Sequence, residues 1–273
     1  MNKIHLALVV QNCVAGEFDT NLQSTFDYIS RAAENRADII VFPEMNLTGY
    51  TAGEEIKNIA RPLQKTVIEK FSGLAREFGL IILSGLAERE IREGAEDRIF
   101  ATHLVFHPQK PMETYRKIHT APNEKPYFSS GDQIPVFEGQ DFRFGIQLCY
   151  DAHFPELSTV MAEKKADAVF LPHASPRGSS REKCRSWMRH LSARAFDNGI
   201  FVAAVNQTGR NGAGLNFPGL ALVLGPDGNL LSKSLEPGEH IHMTELDLEV
   251  LNRFRSHRMR YFLPNRRKDL FPI

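Results

Sequence analysis

The 273-residue sequence contains only three cysteines, Cys13, Cys149 and Cys184, and no Cys-x-x-Cys pair. So few cysteines, in an odd number, exclude a disulfide-rich secreted scaffold and are typical of a reducing compartment. Long apolar runs are also missing. The first residues, MNKIHLALVVQN, contain a short apolar run that Gln11 ends before a signal peptide or membrane span is complete. We therefore expect a cytoplasmic protein with no membrane partner.

An excess of charge of one sign is absent as well. Lys+Arg and Asp+Glu are both 33, so the formal net charge is +0. Because nucleic-acid-binding domains usually have a basic excess, we expect no nucleic-acid partner. No GK[ST] phosphate loop occurs, and Phe217 stands where a dinucleotide fingerprint would need its third glycine. Nucleotide binding is therefore not expected.

Histidines occur in two pairs, each predicted to share one face of a strand. His103 and His107 lie in HLVFH, and His240 and His242 lie in HIH. A structural zinc site has four ligands, and neither pair has further cysteines or histidines at zinc-site spacing. We predict no metal site and a protein that uses no cofactor.

Two stretches of the chain repeat one order of elements. ADIIVFPE (37–44) and ADAVFLPH (166–173) are both short apolar strands with a proline before the last residue. A predicted strand and a predicted helix precede each of them: Ile4, Leu6 and Leu8 alternate in the first half, and FRFGIQL (142–148) begins the second. We interpret this as two related βαβ halves, with Cys13 at roughly the place of Cys149.

The rest of the chain fits the same class. Helices are predicted near 64–78 and 182–197, and FPGLALVLGPDGNLLSKS predicts a hairpin with its turn at Pro226–Gly228. No long linker or low-complexity segment divides the chain. We expect residues 1–273 to form one α/β domain with two packed sheets and helices outside.

Three polar residues each follow a predicted strand: Glu44, Lys117 and Cys149. Alone, each has an ordinary explanation, because a glutamate after a strand is usually solvated, a lysine often ends an edge strand, and a cysteine is often buried in a core. Ligand crevices of α/β sheets lie at the carboxyl ends of strands, so the three residues are candidates for one site.

Their residue types suit nucleophilic catalysis. A free thiol has a pKa of about 8.5, so little thiolate exists at neutral pH without help. A carboxylate takes the proton as the thiol attacks, and an ammonium group stabilises the oxyanion that forms. The backbone N–H of Tyr150, next after Cys149, is a second candidate oxyanion donor.

FPEMNLTGY, YRKIHT and GIQLCYDAHFPE, in this order, resemble the three signature segments of the nitrilase (carbon–nitrogen hydrolase) superfamily. The resemblance covers nearly the whole chain. It implies a four-layer αββα sandwich of two mixed sheets, and a triad of Glu44 as base, Lys117 as cation and Cys149 as nucleophile. Glu124, in APNEKPYFSSGD, matches a second glutamate of many members. The family also implies a homodimer or a higher homo-oligomer, with the C-terminal tail (about 250–273) involved in dimer contacts.

The candidate substrate-binding residues are Tyr50, Tyr150, His153, His173 and Arg177. In the family that this chain resembles, many members that act on carboxylated substrates have an arginine three or four residues after the cysteine, in motifs such as CYDxRFPE. Here Ala152 and His153 occupy those positions, and histidine lacks arginine's permanent charge and fork. We expect no strong carboxylate clamp there, although Arg177 or His173 offers one from another side.

The sequence thus predicts hydrolysis of a non-peptide carbon–nitrogen bond, in an amide or a carbamoyl amine, through a cysteine thioester. The partner is a small amide-type substrate. Two alternatives stay open. A nitrile hydrolase would use the same triad, and a binding or regulatory homologue would keep the fold without turnover.

Overall fold

The computed structural model describes residues 3–271. The strands of the first half are β1 (Lys3–Val10), β2 (Ile39–Val41), β3 (Ile81–Glu90), β4 (Arg98–Phe106) and β5 (Glu113–Arg116). Those that follow are β6 (Phe137–Glu138), β7 (Arg143–Ile146), β8 (Ala168–His173), β9 (Phe201–Asn206), β10 (Thr208–Arg210), β11 (Asn216–Pro218), β12 (Ala221–Leu224), β13 (Leu230–Ser234) and β14 (His240–Asp247). The helices are α1 (Phe18–Glu34), α2 (Ile56–Ile59), α3 (Lys65–Phe78), α4 (Pro155–Glu163), α5 (Ser180–Asn198) and α6 (Leu248–Ser256).

Two sheets of six strands have the same pattern of pairing within residues 3–271. Their orders are β14-β1-β2-β3-β4-β5 and β6-β7-β8-β9-β12-β13. In each sheet the first pair is antiparallel, the next two pairs are parallel and the last two are antiparallel. The repeat expected from the sequence is therefore present in the sheet topology.

Alternate residues of β1 face different layers, as the period of a strand requires. Leu6 is buried in the same cluster as Phe144 of β7, between the two sheets. Val9 is buried with Ile29 of α1 and Phe71 of α3 on the other face. Helix α5 contacts β9 and β12 of the second sheet. Helices thus cover the outer faces of two packed mixed sheets, and the four-layer αββα fold is confirmed.

Helix α5 begins two residues before the predicted position because of a capping box. The Ser179 hydroxyl accepts from the Glu182 N–H at 3.3 Å, and the Glu182 carboxylate accepts from the Ser179 N–H at 2.8 Å. Gly199, with φ 59°, ends the helix in the left-handed region that favours glycine. This start fixes the first turn of α5 beside the end of β8. Among residues 3–271, no helix is long and apolar enough to cross a membrane.

Candidate active site

The ends of three strands bring Glu44, Lys117 and Cys149 together. Glu44 follows β2, Lys117 directly follows β5 and Cys149 follows β7 of the other sheet. The Lys117 ammonium lies 2.8 Å from Glu44 Oε1. Both charges act on the Cys149 thiol. The site therefore lies between the two sheets, at the carboxyl ends of their parallel strands.

Glu44 is fully buried and is held from the second half of the chain. Its Oε2 accepts from the backbone N–H of Ala174 at 3.1 Å, and its carbonyl oxygen accepts from the Gln207 amide at 2.8 Å. Burial raises the pKa of Glu44 to about 7, with the Lys117 charge opposing that shift and Glu124 adding to it. A carboxyl group with this pKa can both take and return a proton near neutral pH.

Lys117 lies between two carboxylates. Its Nζ is 2.8 Å from Glu44 Oε1 and 3.0 Å from Glu124 Oε1. Burial alone would lower the pKa of Lys117, but the charges of Glu44 and Glu124 raise it well above the usual value. The group is therefore an ammonium at neutral pH. It has three N–H donors, and two are used by the carboxylates, so one is left for an oxyanion.

Glu124 is buried and accepts hydrogen bonds on both oxygens. The backbone N–H of Ala121 donates to Oε2 at 2.7 Å, and the Tyr50 hydroxyl donates to Oε1 at 2.9 Å, where Lys117 also bonds. Tyr50 thus holds Glu124 in place. Direct contact of Tyr50 with substrate stays a prediction.

Cys149 begins a short 3-10 turn, Cys149–His153, and has a φ of 44°. A residue other than glycine in the left-handed region is strained, and such strain is common where a side chain must be presented to a site. Burial, and then the charge of Glu44, raises the pKa of the Cys149 thiol well above its usual value. The sulfur is therefore protonated at neutral pH, and a neighbouring base would have to remove its proton for it to act as a nucleophile.

Neutral histidines lie around the turn. His173 Nδ1 bonds the Leu171 carbonyl oxygen at 2.7 Å, so Nδ1 carries the proton, and its ring lies 4.0 Å from Trp187. Burial lowers the pKa of His173 to about 3. The His153 ring lies 4.8 Å from His190, and burial, then Arg194, lowers the pKa of His153. Neither His173 nor His153 offers a positive charge to a substrate at neutral pH.

Lys183, in the first turn of α5, is a residue that the sequence reasoning missed. Its ammonium donates to Ser175 Oγ at 2.8 Å and to the Pro176 carbonyl at 2.9 Å. Among residues 3–271, it has no carboxylate within ion-pair distance. Burial lowers the pKa of Lys183, and the charge of Cys149 acts in the opposite direction. The acceptor of Lys183, Ser175, directly follows Ala174, whose N–H donates to Glu44, so Lys183 lies beside the site. Arg177 is exposed on the same loop, with a φ of 79°.

Two further contacts fix the loop that follows β8. The Ser175 N–H donates to Asn206 Oδ1 at 2.8 Å, and the Asn206 amide donates to the Ser175 carbonyl at 3.0 Å. Asn206 ends β9 and Gln207 follows it. The rule that polar residues at strand ends are candidates would have found both. Lys183 gives no such signal, because it reaches the site from a helix.

Tyr150 is partly buried, and its ring lies 5.5 Å from His153 in an edge-on arrangement. Its backbone N–H belongs to the residue directly after Cys149, as the oxyanion interpretation requires. Across residues 3–271, no group of three or more histidine, cysteine, aspartate or glutamate side chains is arranged to hold a metal ion.

The carbon–nitrogen hydrolase family model matches residues 5–256. An (R)-stereoselective amidase of Pseudomonas sp. is 30% identical, and the match covers 86% of this chain and 82% of the amidase. The omega-amidase NIT3 of Saccharomyces cerevisiae is 28% identical, with 93% and 90% covered.

Solved structures agree with the family match. An amidase from Nesterenkonia sp. superposes with a TM-score of 0.80 at 25% identity, over 98% of this chain and 95% of that one. A carbon–nitrogen hydrolase from Helicobacter pylori G27 superposes with a TM-score of 0.83 at 26% identity, over 99% and 97%. Because the family model spans most of the chain and both folds agree along their length, the protein belongs to the carbon–nitrogen hydrolase family.

Proposed function

We propose that the protein hydrolyses amides through a thioester on Cys149. The family and its amidase relatives support an amide-hydrolysing enzyme. The observation that carries the roles of the residues is the buried cluster of Glu44, Lys117 and Glu124 around the thiol. Two carboxylates and one ammonium out of water are costly to bury, and a purely structural cysteine would need none of them.

Acylation begins when Glu44 takes the thiol proton as Cys149 Sγ attacks the amide carbon. The carbonyl π electrons move to the oxygen, and the oxyanion is stabilised by the free N–H of Lys117 and by the Tyr150 N–H. Glu44 then gives its proton to the substrate nitrogen. The carbon–nitrogen bond breaks, ammonia or an amine departs, and the thioester remains.

Deacylation repeats these transfers with water. Glu44 takes a proton from the water molecule as its oxygen attacks the thioester carbon. The second tetrahedral species expels the Cys149 sulfur, which recovers the proton from Glu44, and the carboxylic acid leaves. A pKa of about 7 suits Glu44 to both directions of proton transfer. Glu124 keeps Lys117 in place throughout.

The Nesterenkonia sp. AN1 amidase supports this assignment. Mutants of that enzyme were solved with the acetamide moiety of fluoroacetamide covalently added at the active-site cysteine, and another mutant was solved with butyramide. That enzyme is 25% identical to this chain, and its structures superpose over 98% of it. In that enzyme, therefore, the active-site cysteine forms a covalent adduct with the acetamide moiety of an amide.

One experiment tests the proposal against its alternatives. The purified protein is incubated with matched panels of linear amides, ureido compounds and nitriles, and the ammonia released is measured. We expect release from amides, and none after Cys149→Ala. Release from nitriles alone would favour a nitrile hydrolase, and no release from any panel would favour a homologue without turnover.

We propose that Lys183, with Arg177, meets any anionic substituent of the substrate. Lys183 is half-buried near the thiol and donates only to neutral oxygens, whereas the pKa of His153 is lowered. The test compares kcat/KM for amides with and without a terminal carboxylate. Lys183→Met should lower kcat/KM for the carboxylated amide about tenfold and leave the neutral one within threefold. Arg185→Met, an exposed change on the same helix, is the control.

Equal loss for both amides in Lys183→Met would contradict this role. Lys183 would then offset the negative charge of the buried carboxylates and would not bind substrate. A change of preference in Arg185→Met of the same size would also contradict it.

We propose a cytoplasmic homodimer of one-domain chains, in which the tail (about 250–273, described as far as 271) contacts a second copy. Three free cysteines support a reducing compartment. Met259 is 79% exposed and Phe271 is 66% exposed, which is unusual for large apolar side chains. Sedimentation of the wild type should give a dimer, and Met259→Ser/Phe271→Ser should shift it toward monomer. A monomeric wild type would contradict the proposal.

A further inference from the structure

Asp151 joins the segment that carries the nucleophile to the segment that carries the lysine. It lies two residues after Cys149 and is fully buried. A buried carboxylate is stable only if hydrogen bonds replace its lost hydration. The four hydrogen-bond contacts of the Asp151 carboxylate come from three residues, Leu148, Tyr115 and His119, which lie in or shortly after strands of both sheets.

On the cysteine side, Asp151 bonds the residue before the nucleophile twice. The Leu148 N–H donates to Asp151 Oδ2 at 3.0 Å, and the Asp151 N–H donates to the Leu148 carbonyl at 3.0 Å. Cys149 lies inside this small ring with its φ of 44°. The two bonds therefore close the strained turn around the thiol.

On the lysine side, Asp151 bonds residues two before and two after Lys117. The Tyr115 hydroxyl donates to Oδ2 at 2.7 Å, and the His119 N–H donates to Oδ1 at 2.8 Å. His119 Nδ1 lies 3.0 Å from the same Oδ1. Tyr115 is fully buried at the end of β5, so its hydroxyl has a fixed position.

A ring contact also joins the lysine segment (115–119) to the cysteine segment (148–154), and we call this contact region the junction. The His119 ring stacks on Phe154 with centroids 3.7 Å apart and planes 9° apart. Phe154 directly follows the 3-10 turn of the cysteine. The lysine segment and the cysteine segment thus touch on both sides of Asp151.

We infer that Asp151 is a positioning residue for the reaction, because one carboxylate sets the distance between the Lys117 ammonium and the Cys149 sulfur. Asp151 does not touch the reacting atoms in this role. The inference rests on the proposed function, in which Cys149 attacks and Lys117 stabilises the oxyanion. A shift of about 1 Å between such groups can cost about a hundredfold in rate.

Asp151→Asn is an informative change because an asparagine cannot keep the hydrogen bonds to both the cysteine segment and the lysine segment. An amide has one oxygen and one NH₂ group, and a backbone N–H cannot become an acceptor. Either the Leu148 N–H or the His119 N–H must then face the NH₂ group. The variant keeps the size of the side chain and releases one of the two segments.

We expect Asp151→Asn to lower kcat about a hundredfold and to change KM less than threefold. Tyr115→Phe, which removes one donor and keeps the buried ring, should lower kcat about tenfold. In the double variant, kcat should fall no further than in Asp151→Asn alone, because both changes disturb one junction. This pattern in kcat, measured well below the melting temperature, would not follow from a loss of stability.

The matched control is Asp167→Asn. Asp167 also accepts from a strand N–H, that of Arg143 at 2.9 Å, but at the other end of β7. It should lose stability and keep kcat within threefold. Comparable losses of kcat in Asp167→Asn and Asp151→Asn would overturn the inference, and so would wild-type kcat in Asp151→Asn.

If Asp151→Asn does not fold, Tyr115→Phe decides alone. A lower kcat with unchanged KM supports the junction, and an unchanged kcat overturns it. Cys149→Ala separates the role of Asp151 from the proposed function itself. If Cys149→Ala keeps its activity, the proposed function fails, whereas a dead Cys149→Ala with a fully active Asp151→Asn removes only the role of Asp151.

Discussion

Strand β1 pairs with β2 in the first sheet as β7 pairs with β8 in the second, and Asp38 and Asp167 occupy the same place in the two pairs. The Asp38 N–H donates to the His5 carbonyl at 2.8 Å, and its Oδ2 accepts from the His5 N–H at 2.7 Å. Asp167 makes the same two bonds with Arg143, at 2.7 and 2.9 Å. The halves can therefore be compared residue by residue.

The register makes Gln11, and not Cys13, the equivalent of Cys149. The Gln11 amide donates to Ser24 Oγ of α1 at 3.1 Å, so it binds the strand end to a helix. Cys13 is buried, and burial raises its thiol pKa well above the usual value. The sequence placed Cys13 at roughly the place of Cys149, and the register shows that it lies two residues beyond the equivalent position.

The ends of the second strands differ in a complementary way. Glu44 follows β2, and its equivalent at the end of β8 is His173, which is neutral and packs on Trp187. Of these four strand ends, the first half thus contributes that of its second strand, β2, to the site, and the second half contributes that of its first strand, β7. The same arrangement of strands therefore occurs twice. In each half, one of the two strand ends carries a residue of the candidate site, and the other carries a residue that packs against or bonds a helix.

The largest expected effect distinguishes Cys149 from the other two cysteines by the kcat that remains when each is replaced. Cys149→Ala should lower kcat by about 10⁴-fold or more, because the nucleophile is lost. Cys13→Ser and Cys184→Ser should keep kcat within threefold, measured as ammonia release from an amide. All three variants should show the circular dichroism spectrum of the wild type. Equal losses in the three folded variants would remove Cys149 from its role.

The second effect compares Glu44 with His173. Glu44→Gln should lower kcat about a thousandfold, because a general base contributes about 10²–10⁴-fold. His173→Gln should lower kcat/KM by about tenfold or less, because it packs beside the site and transfers no proton. Steady-state kinetics with one amide check both. A larger loss of kcat/KM in His173→Gln than in Glu44→Gln would reverse the assignment of the two strand ends.

The third effect is on pH dependence. Burial raises the pKa of Glu44 to about 7, and the base works only when ionised, so kcat/KM should fall as pH falls below about 7. Glu124 raises the same pKa through its negative charge. Glu124→Gln should therefore move the acid limb to lower pH, on a lower maximum. Glu69→Gln, on the exposed face of α3, is the control. An acid limb that stays in place would contradict this coupling.

Much of the site was predictable because polar residues at strand ends are a local signal. Glu44, Lys117 and Cys149 all give it, and Gln207 gives it too. Lys183 does not, because a loop and a capping box bring it to the thiol. The two-residue offset of Cys13 has a physical cause as well. Register follows from the pairing of strands, and one apolar run does not reveal where pairing begins.

The smallest expected effect concerns stability and tests the likeness of the halves. Asp38→Asn should lower the free energy of unfolding by about 1 kcal/mol through its bond with the His5 N–H. Asp167→Asn should lower it by about 2 kcal/mol, because Asp167 also pairs with Arg255 of α6. Urea titrations followed by fluorescence measure both. A loss for one residue only would show that the likeness in geometry does not extend to energy.

The partner of β1 has a consequence for the order in which the protein is made. All eight residues of β1 pair with β14, from Lys3 with Asp247 to Val10 with His240. A ribosome adding about 5–20 residues per second makes β14 roughly 12–50 s after β1. During that interval one edge of the apolar strand β1 has no partner, and exposed edges associate with other chains. The nascent chain therefore depends on its last strand to close the edge formed by its first.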